Sequence, residues 1–201
     1  MIKKLINKKI KFLIFIFFLF IPEFVYSNDN LANFIIRDYS EGELPIVGNP
    51  DAKYTIVEFF DYRCGYCSKQ ANDLAKILEE KNNVKIIYLE FPIFGGISNT
   101  VARVALSIWN SNPELYFDVH NKFMNLGPRM KKDNIIDTLN ELKLNGELIF
   151  AEAEKDTDNK IILKNRSLAQ SLNLRGTPAL IINDNLSPGY LKYENLITFI
   201  E

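Results

Sequence analysis

The chain reads as an α/β protein built as a βαβ unit, a long helical block and a closing ββα unit. Three observations predict this. A run of seven β-forming residues, Tyr54–Phe60, gives way at Cys67 to apolar residues at helical spacing. Residues 96–173 then carry helical periodicity with no strand pattern. A short apolar run, Ala179–Asn183, restores strand character before an amphipathic end.

The elements follow in order. Residues 28–53 form a lead-in. Leu31, Phe34 and Ile35 suggest one or two helical turns, and Gly42, Pro45, Gly48 and Pro50 interrupt whatever follows. Tyr54–Phe60 carries apolar residues on both faces and reads as a buried strand. Asp61 to Gly65 would be the turn leaving it, and Cys67, Ala71, Leu74, Ala75 and Leu78 mark a helix face. Val84–Phe91 is the next strand, and the short connection favours parallel pairing through a crossover helix. In the block 96–173, Asn112-Pro113 and Gly127-Pro128 separate helical pieces around Ile97–Ile108, Leu115–Phe123 and Ile135–Leu142, and another runs through Ile161–Leu172. Asn183-Asp184-Asn185 signals a hairpin turn. Its return strand, Leu186–Tyr190, contains Pro188 and so belongs at a sheet edge. Tyr193, Leu196, Ile197 and Ile200 fit a closing helix. The corresponding division is residues 54–95 with 174–201 as one domain and 96–173 as an all-helical insertion.

Residues 1–27 have the layout of a secretory signal peptide. Lys3, Lys4, Lys8, Lys9 and Lys11 precede the apolar run Phe12–Ile21, and Val25 and Ser27 stand at −3 and −1 of a cut after Ser27. The run is about half the ~20 residues a spanning helix needs, which favours cleavage over an uncleaved membrane anchor. The expected location is the periplasm, with attachment to the inner membrane as the alternative. The leader holds five lysines and one glutamate, so residues 28–201 keep 19 basic and 24 acidic side chains, a net of −5. That balance excludes a nucleic-acid-binding surface as the main function.

Only two cysteines occur, Cys64 and Cys67. An exported chain meets an oxidising compartment, yet a bridge closing so short a loop adds little to stability. The pair is therefore read as reactive. Zinc wants four N or S ligands, but the only other soft ligand is His120; haem attachment wants His after the second cysteine, where Ser68 stands. No metal and no cofactor are expected. The exchanging species is a thiolate. Cys64 opens a helix, where unpaired N–H groups and the dipole favour negative charge. Arg63 adds a positive charge, and Cys67 can donate its S–H to the Cys64 sulfur. Cys64 is thus expected to be the exposed, attacked thiol and Cys67 the buried, resolving one. Glu58 lies inside an apolar strand, where a buried carboxylate would have a raised pKa and could relay the resolving thiol's proton. His120 reads as an ordinary helix residue, Trp109, Phe117 and Phe123 as packing of the helical block, Lys131-Lys132-Asp133 as a solvated turn, and Tyr66 as a residue that affects access to the thiol.

Phe59-Phe60-Asp61-Tyr62-Arg63-Cys64-Gly65-Tyr66-Cys67, the helical block and Gly176-Thr177-Pro178-Ala179 together resemble the DsbA-like proteins of the thioredoxin superfamily. The resemblance implies a thioredoxin fold with an inserted helical domain. It implies a cis Pro178 set against the Cys-x-x-Cys turn, with the backbone of Thr177 pairing with bound substrate. It also implies an acidic residue at the position of Glu58. Gly65-Tyr66 between the cysteines, and Thr177 before the proline, are instead similar to the DsbC and DsbG isomerases. With no histidine between the cysteines, the centre should be less oxidising than the strongest oxidants. The isomerases dimerise through a long N-terminal domain for which residues 28–53 are too short, so a monomer is expected.

Three functions compete on these grounds. The first is a dithiol oxidase for exported proteins with free thiols, reoxidised by a DsbB-like membrane quinone reductase. The second is an isomerase or reductase held reduced by a membrane thiol donor. The third is a secreted module that uses the same groove only to bind peptides.

Overall fold

The computed structural model describes residues 30–201; the signal peptide expected at 1–27 lies outside them. The described chain is a mixed α/β fold around one five-stranded sheet of order β1-β3-β2-β4-β5. Its strands are β1 (Ile46–Gly48), β2 (Tyr54–Phe60), β3 (Val84–Glu90), β4 (Ala179–Ile182) and β5 (Asn185–Pro188). β2 and β3 pair in parallel, and the other three pairings are antiparallel. Every residue of the central strand β2 is buried, which is why it reads as a continuous apolar run rather than an alternating one.

Alternation inside β2 divides the core in two. Ile56, Glu58 and Phe60 share one face, where Ile56 and Phe60 join the large core with Ile86 and Tyr88 of β3, and with Cys67, Leu74 and Ile77. Val57 and Phe59 point the other way, to a smaller core with Ile87, Leu89, Ala32, Ile35 and Ala169. Helix α1 (Leu31–Ile36) lies on that second face. Its N-cap, Asn30, accepts from the Asn33 N–H at 3.0 Å, and its Ala32 N–H donates to the Asn183 carbonyl.

Helix α2 (Gly65–Glu80) carries the reactive turn. Five helices lie between β3 and β4: α3 (Ile97–Ser111), α4 (Tyr116–Leu126), α5 (Lys132–Glu141), α6 (Gly146–Lys155) and α7 (Lys160–Ser171). Short 3-10 turns at Pro113–Leu115 and Gly127–Arg129 occupy the two expected breaks. Helix α8 (Tyr193–Ile197) closes the chain.

Three elements differ from the sequence reading. The lead-in contains strand β1, antiparallel to β3 with Ile46 opposite Ile87. Gly48 makes this approach: its φ is +103° and a Cβ there would sit 2.6 Å from the Val84 carbonyl oxygen. Helix α6 is not marked in the block because Gly146 opens it, packed so closely that a Cβ there would sit 2.5 Å from the Ile136 carbonyl oxygen. Helix α2 also starts two residues before its apolar spacing begins.

Candidate active site

Cys64 is the N-cap of α2, with extended backbone (φ −82°, ψ 116°), and its sulfur accepts from the Cys67 N–H at 3.4 Å. The helix start therefore aims its unpaired donors at that sulfur. Gln70 anchors the same helix to the loop after β5, exchanging hydrogen bonds with Leu191 N–H and C=O at 2.9 and 3.1 Å. The turn before the helix is held by Asp61. One carboxylate oxygen accepts from the Arg63 N–H at 2.8 Å and the other from the Phe94 N–H at 3.0 Å.

The two cysteines are free thiols with opposite environments. The Cys67 S–H donated to Cys64 is the largest influence on the Cys64 thiol and lowers its pKa to about 6; burial opposes it, and Thr177 with the Cys67 and Tyr66 N–H groups adds to it. Cys67 is pushed far up, first by burial, then by its hydrogen bond to Cys64 and the nearby Glu58. Glu58 is fully buried, and both carboxylate oxygens lack a hydrogen-bond partner. Burial, then the charge of Cys64, raises its pKa to about 8.

Thr177–Pro178 is a cis peptide, and it sits against the reactive turn. The Cys64 S–H donates to the Thr177 carbonyl at 3.2 Å. The Thr177 hydroxyl is buried with no other partner, so it can turn to a Cys64 thiolate when one forms. Pro178 and Thr177 also line a hollow with Tyr66, Gly189 and Tyr190. Tyr66 is 61 % exposed, and its ring centroid lies 6.2 Å from that of Tyr190. Gly65 faces Pro128 of the helical segment, whose ring would stand 3.8 Å from a Cβ. Cys64, Cys67, Glu58, Gly65, Tyr66, Thr177 and Pro178 thus converge on one place in the fold.

The environment departs from the sequence reading in three respects. Cys64 is not openly exposed: it keeps 6 % of its surface, against none for Cys67. The Arg63 guanidinium turns to the Pro128 carbonyl at 3.4 Å and does not hydrogen-bond the sulfur. His120 is no ordinary helix residue. It is fully buried among Phe60, Tyr62, Tyr88 and Tyr116, and its Nδ1 lies 3.3 Å from the Tyr62 hydroxyl. Burial lowers its pKa to about 3, so the ring is neutral. The same hydroxyl meets Glu90 Oε1 at 3.2 Å, and burial raises the Glu90 pKa. Glu90 ends an apolar strand as Glu58 sits within one, a signal that could have marked it too. Among the described residues no group of three or more His, Cys, Asp or Glu side chains converges to hold a metal ion.

This arrangement suits thiol–disulfide exchange: one sulfur is ionisable near neutral pH and touches the surface, and a second is kept protonated behind it. Comparison with known proteins agrees. The family model described as thioredoxin (Thioredoxin_4) matches residues 40–201. The chain belongs to this thioredoxin family. Disulfide bond formation protein D of Bacillus subtilis is 25 % identical over 167 residues, spanning 78 % of this chain and 75 % of that protein. The thiol-disulfide exchange protein α-DsbA2 of Wolbachia pipientis superposes with a TM-score of 0.72 at 28 % identity, over 87 % of this chain and 96 % of that one. A periplasmic thioredoxin-like protein of Salmonella enterica serovar Typhimurium gives 0.70 at 28 %, over 84 % and 94 %. With its Cys64–Cys67 pair in this family's fold, the chain is a thiol:disulfide oxidoreductase of the DsbA-like kind. Its partners are, in general terms, proteins bearing thiols and a redox partner. No described helix is long and apolar enough to cross a membrane.

Proposed function

We propose that the protein is a dithiol oxidase that introduces disulfide bonds into exported proteins through Cys64 and Cys67. The observation carrying this reading is the pair of unlike sulfurs, Cys64 lowered to about 6 and Cys67 raised by burial. A stabilised thiolate favours the reduced enzyme, which makes the oxidised enzyme a disulfide donor. The curated relatives named for disulfide bond formation support the same direction.

A substrate thiolate attacks the Cys64 sulfur of the Cys64–Cys67 disulfide, and Cys67 leaves with the bond's electron pair. Protonated Glu58 gives Cys67 its proton, which the burial of both groups favours. A second substrate thiolate then attacks its own partner sulfur in the mixed disulfide and releases Cys64 as a thiolate. Two electrons pass from substrate to enzyme. A DsbB-like membrane quinone reductase would take them onward.

Thr177 would offer its backbone to the substrate chain, with Pro178, Gly65 and Tyr66 shaping the approach. Residues 54–95 and 174–201 would form the thioredoxin-like domain, with the helices of 96–173 inserted. Residues 1–27 would serve as a cleaved export signal delivering a monomer to the periplasm. Glutathione-buffer equilibration with alkylation of free thiols tests the direction: a potential between ~−120 and −200 mV is expected, and one near thioredoxin's ~−270 mV would make the protein a reductase.

A further inference from the structure

We propose that the groove beside Cys64 prefers substrate segments with acidic residues flanking their cysteine; this rests on the disulfide-donor reading above. Two hollows adjoin along the cis-proline loop and share Thr177, Pro178 and Gly189. One, of about 310 Å³, is walled by Tyr66 and Tyr190. The other, of about 360 Å³, is lined by Asn173, Leu174 and Arg175, and Arg175 is the only charged side chain in either lining.

Further cations stand round the same opening. Lys69 Nζ lies 5.1 Å from the Tyr66 ring centroid, on the α2 side. Arg63 holds the Pro128 carbonyl on the helical-block side, and exposed Arg129 follows directly. None of the five ion pairs among the described residues uses Arg63, Lys69, Arg129 or Arg175. The acids nearby are placed differently. Asp61 is buried and bound to two backbone N–H groups. Asp73 is engaged by the Tyr190 hydroxyl at 2.7 Å, and Glu194 is felt by the same tyrosine, so these two acids gather on the Tyr190 side of the opening.

This rim runs against the character of the whole molecule. Residues 28–201 carry 19 basic and 24 acidic side chains, a net negative balance, yet Arg63, Lys69, Arg129 and Arg175, none of them in an ion pair, sit on the elements around the reactive turn. Such a local reversal attracts anionic segments and repels cationic ones, and it acts mainly on the rate of encounter. The hollow lined by Pro178, Tyr66 and Tyr190 would accept the side chains next to the cysteine, and the cations around it would select the charge beyond them.

The test uses the oxidised protein and three dithiol peptides, identical except for Asp, Ser or Lys beside the cysteines. Each peptide's second-order rate constant for reducing the Cys64–Cys67 disulfide in a single turnover is divided by its rate with hydroxyethyl disulfide, a neutral oxidant, to remove differences in intrinsic thiol reactivity. At low salt the Asp peptide is expected to exceed the Lys peptide by about tenfold or more. The ratio should fall toward one near 1 M salt, where the screening length is ~3 Å. Arg175→Gln should reduce it, and Arg175→Glu should reduce it further. Equal corrected rates for the Asp and Lys peptides at low salt would overturn the proposal while leaving the disulfide-donor reading standing. If the protein oxidised none of the three, that reading would fail and the preference with it.

Discussion

Glu58 lies fully buried beneath Cys64, and the charge of Cys64 raises the pKa of the carboxyl. The two groups resist being negative together. Near neutral pH the lower-pKa partner, Cys64, holds the charge and Glu58 holds the proton. The site can therefore keep one anion at its surface and one proton in its interior.

The reduced protein should show two very different thiols. Iodoacetamide labelling of Cys64 is expected to follow a midpoint near pH 6, rising with pH, while Cys67 stays unlabelled until the fold is lost. Peptide mapping after labelling checks this. Labelling of both cysteines at similar rates would contradict the asymmetry.

Cys67→Ala removes the largest influence lowering the Cys64 pKa. The midpoint of thiolate absorbance at 240 nm should then move upward from about 6, by a unit or so in order of magnitude. An unchanged midpoint would assign the shift to the helix start instead.

Glu58 makes stability depend on pH. Its unfolded carboxyl ionises near 4.5 but its folded one only near 8, so the folded state binds more protons across that interval. Stability should therefore fall as pH rises from 4.5 to 8. Glu58→Gln should flatten this fall and raise stability at pH 7 by up to about 3 kcal/mol, at ~1.4 kcal/mol per pKa unit. Urea unfolding of the reduced protein at pH 5 and pH 7 measures both effects.

Tyr62→Phe removes the hydroxyl that meets both Glu90 and His120. The buried Glu90 Oε1 and His120 Nδ1 would lose that partner, at a cost of about 1–3 kcal/mol. Chemical unfolding reads this loss, and a change below ~0.5 kcal/mol would show that the contact is not holding the turn to the helical block.

Gly48→Ala places a Cβ at 2.6 Å from the Val84 carbonyl in a residue of positive φ. The edge strand β1 should loosen, costing about 1–3 kcal/mol. Faster amide exchange at Tyr88, whose N–H donates to the Pro45 carbonyl beside β1, would report it.

Much of this molecule could be read along the chain, because its defining features are local. The seven-residue apolar run of β2, the break at Asp61, the cysteine spacing and the 3.6-residue rhythm of α2 each lie within a few residues of one another. They suffice to determine the strand-turn-helix context and the helix-start position of Cys64. The buried carboxylate at Glu58 was legible because one charge interrupts an apolar strand. Strand β1 was not, since three residues hold no period and their partner, Ile86 among them, lies some forty positions on. Only tertiary packing turned Arg63 to Pro128, brought the Thr177 carbonyl to Cys64 across 113 residues, covered most of the Cys64 surface, and enclosed His120 in four aromatic rings. Burial and long-range hydrogen bonds depend on which distant groups fill the same space, and local spacing carries no record of that.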